Sequence, residues 1–373
     1  MSQPTSFDSR AVSRWEPEAY AGGGEPAVIR AADAAPILPG FDLWDCWPLA
    51  HEDGRTAVVA GRQWWFFLSA PCLPDPVQRH DVARLRLLSR GPDGWRDHGH
   101  ALPDGLCPGS REWAGSAVVH DDGVGITLLY TAAGRRGEAP SLEQRLLSVR
   151  GTLGPDGPGR WGAPQEMVVA DGERYMPARD RVAASGMLKA FRDPAWFRDP
   201  QTGRRHALFV GSAGWARHAY NGVIGLCTLV GDAWGLETPL LEAIGVSNEL
   251  ERPHVLVQNG LYYMFWSTQR HTFAPEAVAG PNGLYAAVAE RLAGPWRPVN
   301  TGGLVAANPA AEPTQAYSWW VTGEGEVWSF IDHWGLQGRR LADHPELVRA
   351  QFGGTPAPVF RLAFEGERVT VIP

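Results

Sequence analysis

The chain has 373 residues, 44% hydrophobic and 20% charged, a balance that excludes a wholly disordered protein and supports a sizeable core. Its net charge of −7 at pH 7 argues against nucleic acid as the main partner, because no basic excess exists to meet phosphates. No apolar run approaches the length of a membrane span, so no membrane partner is expected either.

Residues 1–35 read as an extended N-terminal arm, with Trp15 as its expected anchor, and residues 36–373 as a single domain. The stretch from Met1 to Gly24 is polar, acidic and glycine-rich, without the charged-then-apolar order of a cleaved export signal. The expectation is a cytoplasmic protein or one exported by a signal-independent route. Seventeen Trp, 44 Gly and 31 Pro favour many short strands joined by turns over long helices. Cys46, Cys72, Cys107 and Cys227 show no metal-type spacing and read as unpaired thiols, with one long-range disulfide as the alternative. No metal and no cofactor are expected.

Alternating segments follow in five places. Residues 56–70 predict two strands joined at Gly61-Arg62, and residues 117–131 predict a hairpin turning at Asp121-Asp122-Gly123. Residues 195–212 turn at Asp199-Pro200-Gln201-Thr202-Gly203, and residues 318–332 at Gly323-Glu324-Gly325. The clearest case is 254–268, where Asn259-Gly260 separates two apolar runs, a strong hairpin signal.

A polar or acidic cluster precedes each hairpin. Asp45 lies in Leu43-Trp44-Asp45-Cys46-Trp47-Pro48-Leu49, Glu112 in Glu112-Trp113-Ala114-Gly115-Ser116, and Asp193 in Phe191-Arg192-Asp193-Pro194. Glu249 and Glu251 lie in Asn248-Glu249-Leu250-Glu251-Arg252-Pro253-His254, and the last cluster is Pro313-Thr314-Gln315-Ala316-Tyr317-Ser318. The clusters recur at roughly 60–80 residues, consistent with long blades carrying loop insertions. An all-β, five-bladed β-propeller follows, with the first strand of each blade lining a central funnel on which the clusters converge. A β-sandwich or two β domains would share the same periodicity.

Three acids stand out. Glycoside hydrolysis requires paired carboxylates, and aromatic faces with Arg forks suit the sugar. Asp45 sits between Trp44 and Trp47, although a turn aspartate capping backbone amides would look the same. Asp193 follows Arg192 and precedes an apolar strand, whereas the repeat Phe197-Arg198-Asp199-Pro200 runs into turn residues and reads as structural. Glu249 and Glu251 share a face if extended, and two neighbouring carboxyls push one pKa upward. A solvated Glu-Arg surface pair is the plain alternative there.

In these motifs the chain resembles the levansucrase, inulosucrase and β-fructofuranosidase family, glycoside hydrolase family 68. The likeness runs from about Trp44 to Trp334. It rests on Trp-Asp-x-Trp-Pro-Leu at 44–49, Glu112-Trp113-x-Gly115-Ser116-Ala117, Phe191-Arg192-Asp193-Pro194 and Glu251-Arg252-Pro253-His254. His271-Thr272-Phe273-Ala274, Gly280-Pro281-Asn282-Gly283-Leu284-Tyr285 and Gln315-Ala316-Tyr317-Ser318 extend it in order. The resemblance implies a five-bladed propeller and a retaining enzyme acting on sucrose and fructan-type sugars through a covalent fructosyl-enzyme. Asp45 would then be the nucleophile, Glu251 the acid/base and Asp193 the residue that holds fructosyl hydroxyls and stabilises the transition state. Trp44, Trp113, Ser116, Arg192, Glu249 and Arg252 match positions that shape the sucrose pocket. Two departures concern donor preference and polymer formation: Cys46 stands where the family usually has Ser or Thr, and Gln269 where it usually has His or Arg. The chain is also short for the family, with trimmed loops and no evident acidic calcium-binding loop. A related propeller glycosidase acting on arabinan or xylan, and a non-catalytic carbohydrate-binding propeller, are the alternative functions.

Overall fold

Strands dominate the computed structural model, which describes residues 7–178 and 188–372; among these, helix is confined to short segments of at most six residues. The first six residues of the expected arm lie outside the described residues. The fold is all-β, as composition and turn density lead one to expect.

The strands form five antiparallel units. The first contains β1 (Phe41–His51), β2 (Arg62–Pro71), β3 (Arg84–Gly91) and β4 (Gly94–His100), and the second β5 (Arg111–Val119), β6 (Gly125–Ala133) and β7 (Gln144–Gly154). The third contains β8 (Phe191–Arg198), β9 (Arg205–Ser212) and β10 (Gly222–Val230), and the fourth β11 (Glu251–Gln258), β12 (Leu261–Thr268) and β13 (Gly283–Ala289). The fifth contains β14 (Ala316–Val321), β15 (Glu326–Ile331), β16 (Phe360–Glu365) and β17 (Arg368–Ile372). The first two units merge into one sheet, because Leu49–His51 pair in parallel with Ala117–Val119. The leading strands β1, β5, β8, β11 and β14 pack in sequence, and β14 also packs on β1.

Turn chemistry sets the hairpins. Asn259 and Gly260 have φ of 53° and 81°, the left-handed pair that a two-residue hairpin turn requires. Ala60 and Gly61 do the same before β2, at 49° and 75°. The strand expected at 56–60 shrinks to Val58–Val59, and the long partner of β2 is β1, paired from Phe41 to Pro48. Almost every side chain of β1 is covered on both faces, so the strand lacks the polar–apolar alternation that marks a half-exposed one.

The N-terminal segment is pinned at several points. Ser13–Arg14 pair in parallel with Leu241–Glu242. Trp15 is fully buried, with ring centroids 5.2 Å from Trp266 and 5.3 Å from Tyr285, and its Nε1 donates to the Gly302 carbonyl at 2.9 Å. Gln315, from the fifth polar cluster, is spent on this arm: Oε1 accepts from Ile29 N at 2.9 Å and Nε2 donates to the Ala27 carbonyl at 3.0 Å. All four cysteines are free thiols. Among the described residues no helix is long and apolar enough to cross a membrane.

Candidate active site

Four of the leading strands break register at one equivalent point. Asp45 and Cys46 together oppose Phe67, Asp193 and Pro194 oppose Phe209, Arg252 and Pro253 oppose Trp266, and Ser318 and Trp319 oppose Ser329. The first residue of each pair lies in the left-handed region: Asp45 at φ 46°, Asp193 at 62°, Arg252 at 51° and Ser318 at 62°. Such bulges bend a strand and re-aim its side chains, and non-glycine residues held there carry strain that other packing must offset. In β5 the extra residue is Ala114, and a Cβ on the next residue, Gly115, would lie 1.9 Å from the Leu129 carbonyl oxygen.

The bulges converge on a cavity of about 370 Å³. Of the residues singled out from the sequence, Trp44, Asp45, Trp113, Arg192, Asp193, Glu251, Arg252 and Gln269 line it. Ser116 does not. Its hydroxyl donates to the Pro194 carbonyl at 3.0 Å and accepts from Trp196 N at 2.8 Å, tying β5 to β8 beside a separate cavity of about 290 Å³. Glu249 stands behind the wall, 3.3 Å from Arg192 Nη2. Asp199 caps its turn, accepting from Gln201 N at 3.0 Å and Thr202 Oγ1 at 2.7 Å. Glu112 is likewise structural, bound to Leu85 N at 2.8 Å and to Arg84 Nε at 3.0 Å.

Each acid has its own setting. Burial pushes the Asp45 carboxyl above the usual carboxylate range, while the Arg252 charge and a hydrogen bond from the Ser318 hydroxyl pull it back. Arg252 is itself held: Nη2 donates to the Cys46 carbonyl at 2.7 Å, and Nη1 to the Ser318 carbonyl and hydroxyl at 3.1 and 3.0 Å. Asp193 Oδ2 accepts from Arg252 N at 3.3 Å, and burial, opposed by Arg192, raises its carboxyl to about 7. Glu251 is gripped from both sides, by Arg192 Nη2 at 2.7 Å on Oε1 and by the Tyr317 hydroxyl on Oε2. The upward shift expected from the carboxyl pair falls on Glu249, through burial first, with the Glu251 charge adding to it against Arg192.

The Cys46 thiol faces away from this chemistry. It packs in an apolar cluster with Leu43, Trp65 and Phe67, and burial pushes it up to about 12, so no thiolate forms beside Asp45. The bulge leaves only its carbonyl at the site. Other cavity residues went unassigned in the sequence. Tyr317 and Ser318 belong to the fifth polar cluster of the sequence, and the left-handed Ser318 occupies the bulge position that Asp45 and Asp193 hold elsewhere. Arg79, His80 and Arg111 line the same wall; burial, reinforced by the charges of Arg79, Arg192 and Arg111, keeps the His80 imidazole neutral. The short 3-10 helix Pro76–Asp81 that carries Arg79 and His80 has no periodicity to betray it. Among the described residues no group of three or more His, Cys, Asp or Glu could hold a metal ion.

The family profile described as Levansucrase/Invertase matches residues 26–223 and 215–372. The chain is 32% identical over 370 residues to levansucrase LscA of Pseudomonas savastanoi pv. glycinea, covering 87% of this chain and 85% of that one. It is 31% identical over 409 residues to a levansucrase of Zymomonas mobilis subsp. mobilis, covering 93% and 90% respectively. Among solved structures, an inulosucrase from Halalkalicoccus jeotgali bound to kestose aligns with a TM-score of 0.85 at 38% identity, covering 96% of this chain and 95% of that one.

Proposed function

The chain belongs to the levansucrase and invertase family, glycoside hydrolase family 68, and we propose that it is a retaining enzyme that cleaves sucrose and passes the fructosyl group to water or to a sugar. The observation that carries this reading is the convergence of Asp45, Asp193 and Glu251, with Arg192 and Arg252, on one cavity. We further read the five units and their ring of leading strands as a five-bladed propeller formed by residues 36–373, with residues 1–35 as an arm pinned along its flank.

In the first step Asp45 attacks the anomeric carbon of the fructosyl unit, while Glu251 gives its proton to the departing glucose oxygen. In the second step Glu251 takes a proton from water or an acceptor hydroxyl, which attacks the same carbon and frees Asp45. A retaining pair of this kind stands roughly 5–5.5 Å apart. Arg192 and Tyr317 engage both oxygens of Glu251 and fix its direction. Arg252 and Ser318 restrain Asp45. Asp193 accepts fructosyl hydroxyls and opposes the positive charge that develops on the ring. Trp44 and Trp113 supply aromatic walls. Ser116 and Glu249 act from behind, one tying strands together and the other anchoring Arg192.

The test is to incubate the protein with sucrose and measure glucose and fructose separately, their difference being the transferred fraction. Glucose release is expected. Intact sucrose would overturn the reading in favour of an arabinan or xylan glycosidase or a non-catalytic sugar-binding protein, both of which the family match disfavours.

A further inference from the structure

Lys189 is the only lysine of the chain; the rest of its 34 Lys and Arg are arginines. It is buried just ahead of β8, shortly before Arg192 and Asp193. Its ammonium donates to Asn221 Oδ1 at 2.5 Å, to Asn248 Oδ1 at 2.7 Å and to the Ala219 carbonyl. Three donors thus meet three converging neutral oxygens, a geometry that suits a compact ammonium and not a planar guanidinium. A buried charge costs folding energy unless it is hydrogen-bonded, and here all three of its donors are used.

Its neighbours lead to the acid/base. Asn248, whose carbonyl oxygen serves Lys189, sends its amide to the Leu188 carbonyl at 3.0 Å and to Glu249 Oε1 at 3.4 Å. Glu249 lies 3.3 Å from Arg192 Nη2, and that nitrogen donates to Glu251 Oε1 at 2.7 Å. We propose that Lys189 is a positioning residue: through Asn248 and Glu249 it fixes the Arg192 guanidinium against Glu251 and so holds the acid/base in its working direction. The proposal rests on the reading of Glu251 given above.

Among the described residues Glu249 is the charge that faces Lys189; Ala219, Asn221 and Gln144, from the elements packed on it, are neutral. Burial, opposed by Glu249, lowers the Lys189 pKa to about 8. Above that pH the amine keeps two donors for three oxygens, and Glu249 loses its facing cation. An alkaline limb in kcat follows.

Lys189→Met should lower kcat roughly ten- to a hundredfold, the scale of a small misplacement of reacting groups, with little change in KM. It should also erase the alkaline limb centred near pH 8. In the Glu249→Gln background the same substitution should cost less than threefold, because the route through Glu249 is already cut. A folded Lys189→Met with wild-type kcat and an unchanged alkaline limb, or strictly additive losses, would overturn the proposal. A second readout needs no turnover and covers a variant that fails to fold. Carbon-13 lysine labelling gives one side-chain signal, whose titration midpoint should lie near 8 and fall in Glu249→Gln. A midpoint indifferent to Glu249 would sink the coupling. If wild type leaves sucrose intact, it is the functional reading that fails, and this signal still reports on the Lys189–Glu249 link.

Discussion

Asp193 is held by its surroundings in a state that makes the free enzyme sensitive to pH. Its carboxyl rises from an ordinary 3.8 to about 7. A raised carboxyl means that the folded protein holds the proton more tightly than the unfolded chain. The resulting stability is fully present below pH 3.8 and is lost as pH climbs through about 7. Buried histidines work in the opposite sense: His254, lowered to about 3, favours the folded state as pH rises through the ordinary histidine value. The variant difference therefore isolates the effect. Unfolding free energies measured from pH 5 to 8 should fall more steeply for wild type than for Asp193→Asn, by an amount on the order of a few kcal/mol across the window. Parallel curves would show that Asp193 titrates as an ordinary aspartate. At the cavity wall, we propose that Gln269 governs what receives the fructosyl group. Its side chain has no hydrogen-bond partner within its own helical turn, and a neutral amide holds an acceptor sugar less rigidly than an Arg fork. Mainly hydrolysis and short transfer products are predicted. Gln269→His and Gln269→Arg should raise the transferred fraction at fixed sucrose. An unchanged glucose-to-fructose ratio in both variants would remove Gln269 from this role.

The bulge in each leading strand is the element on which the site is built, and Ser318 offers the cleanest way to test it. Its left-handed backbone turns the strand, and its hydroxyl links Asp45 to Arg252. Ser318→Gly keeps the backbone and deletes the hydroxyl, so activity should fall with little change in melting temperature. Ser318→Val forces a β-branched side chain into that conformation and should lower stability as well, by about 1–3 kcal/mol. Equal melting temperatures for the two variants would mean that the bulge carries no strain. These elements were only partly legible beforehand. The turns at Asn259-Gly260 and Asp121-Asp122-Gly123 announced themselves through left-handed and Asx chemistry, and acids placed just ahead of the hairpins marked where to look. Bulges leave no local signature, so the sequence placed Asp45 before a hairpin when it lies inside β1, and gave the neighbouring thiol a role that the bulge turns away from the cavity. The resemblance placed Glu249 and Ser116 among the residues that shape the sucrose pocket, whereas in the structure Glu249 braces Arg192 and the Ser116 hydroxyl is consumed by β8.

At the scale of the whole molecule, the N-terminal segment and the packing of the leading strands depend on contacts far apart in sequence. Trp15 joins the arm to Trp266, Tyr285 and Gly302, a junction that composition predicted only as an anchor without a partner. Trp15→Ala should cost about 3–5 kcal/mol, read as a lower melting temperature. A loss below 1 kcal/mol would show that the arm is not part of the cooperative fold. Hairpin spacing and the convergence of the leading strands were expected from periodicity, but which side chains of β14 meet β1 was not, because those contacts join residues hundreds of positions apart. Asp45 and Glu251 line one cavity, where we propose that they act as nucleophile and acid/base on sucrose. The most direct measurement is mass spectrometry of enzyme quenched during sucrose turnover, with the modified peptide sequenced. One added fructosyl unit is expected on Asp45 in wild type, none in Asp45→Asn, and no glucose release by that variant. A fructosyl unit on another residue, or glucose released by Asp45→Asn at more than a few per cent of the wild-type rate, would contradict it.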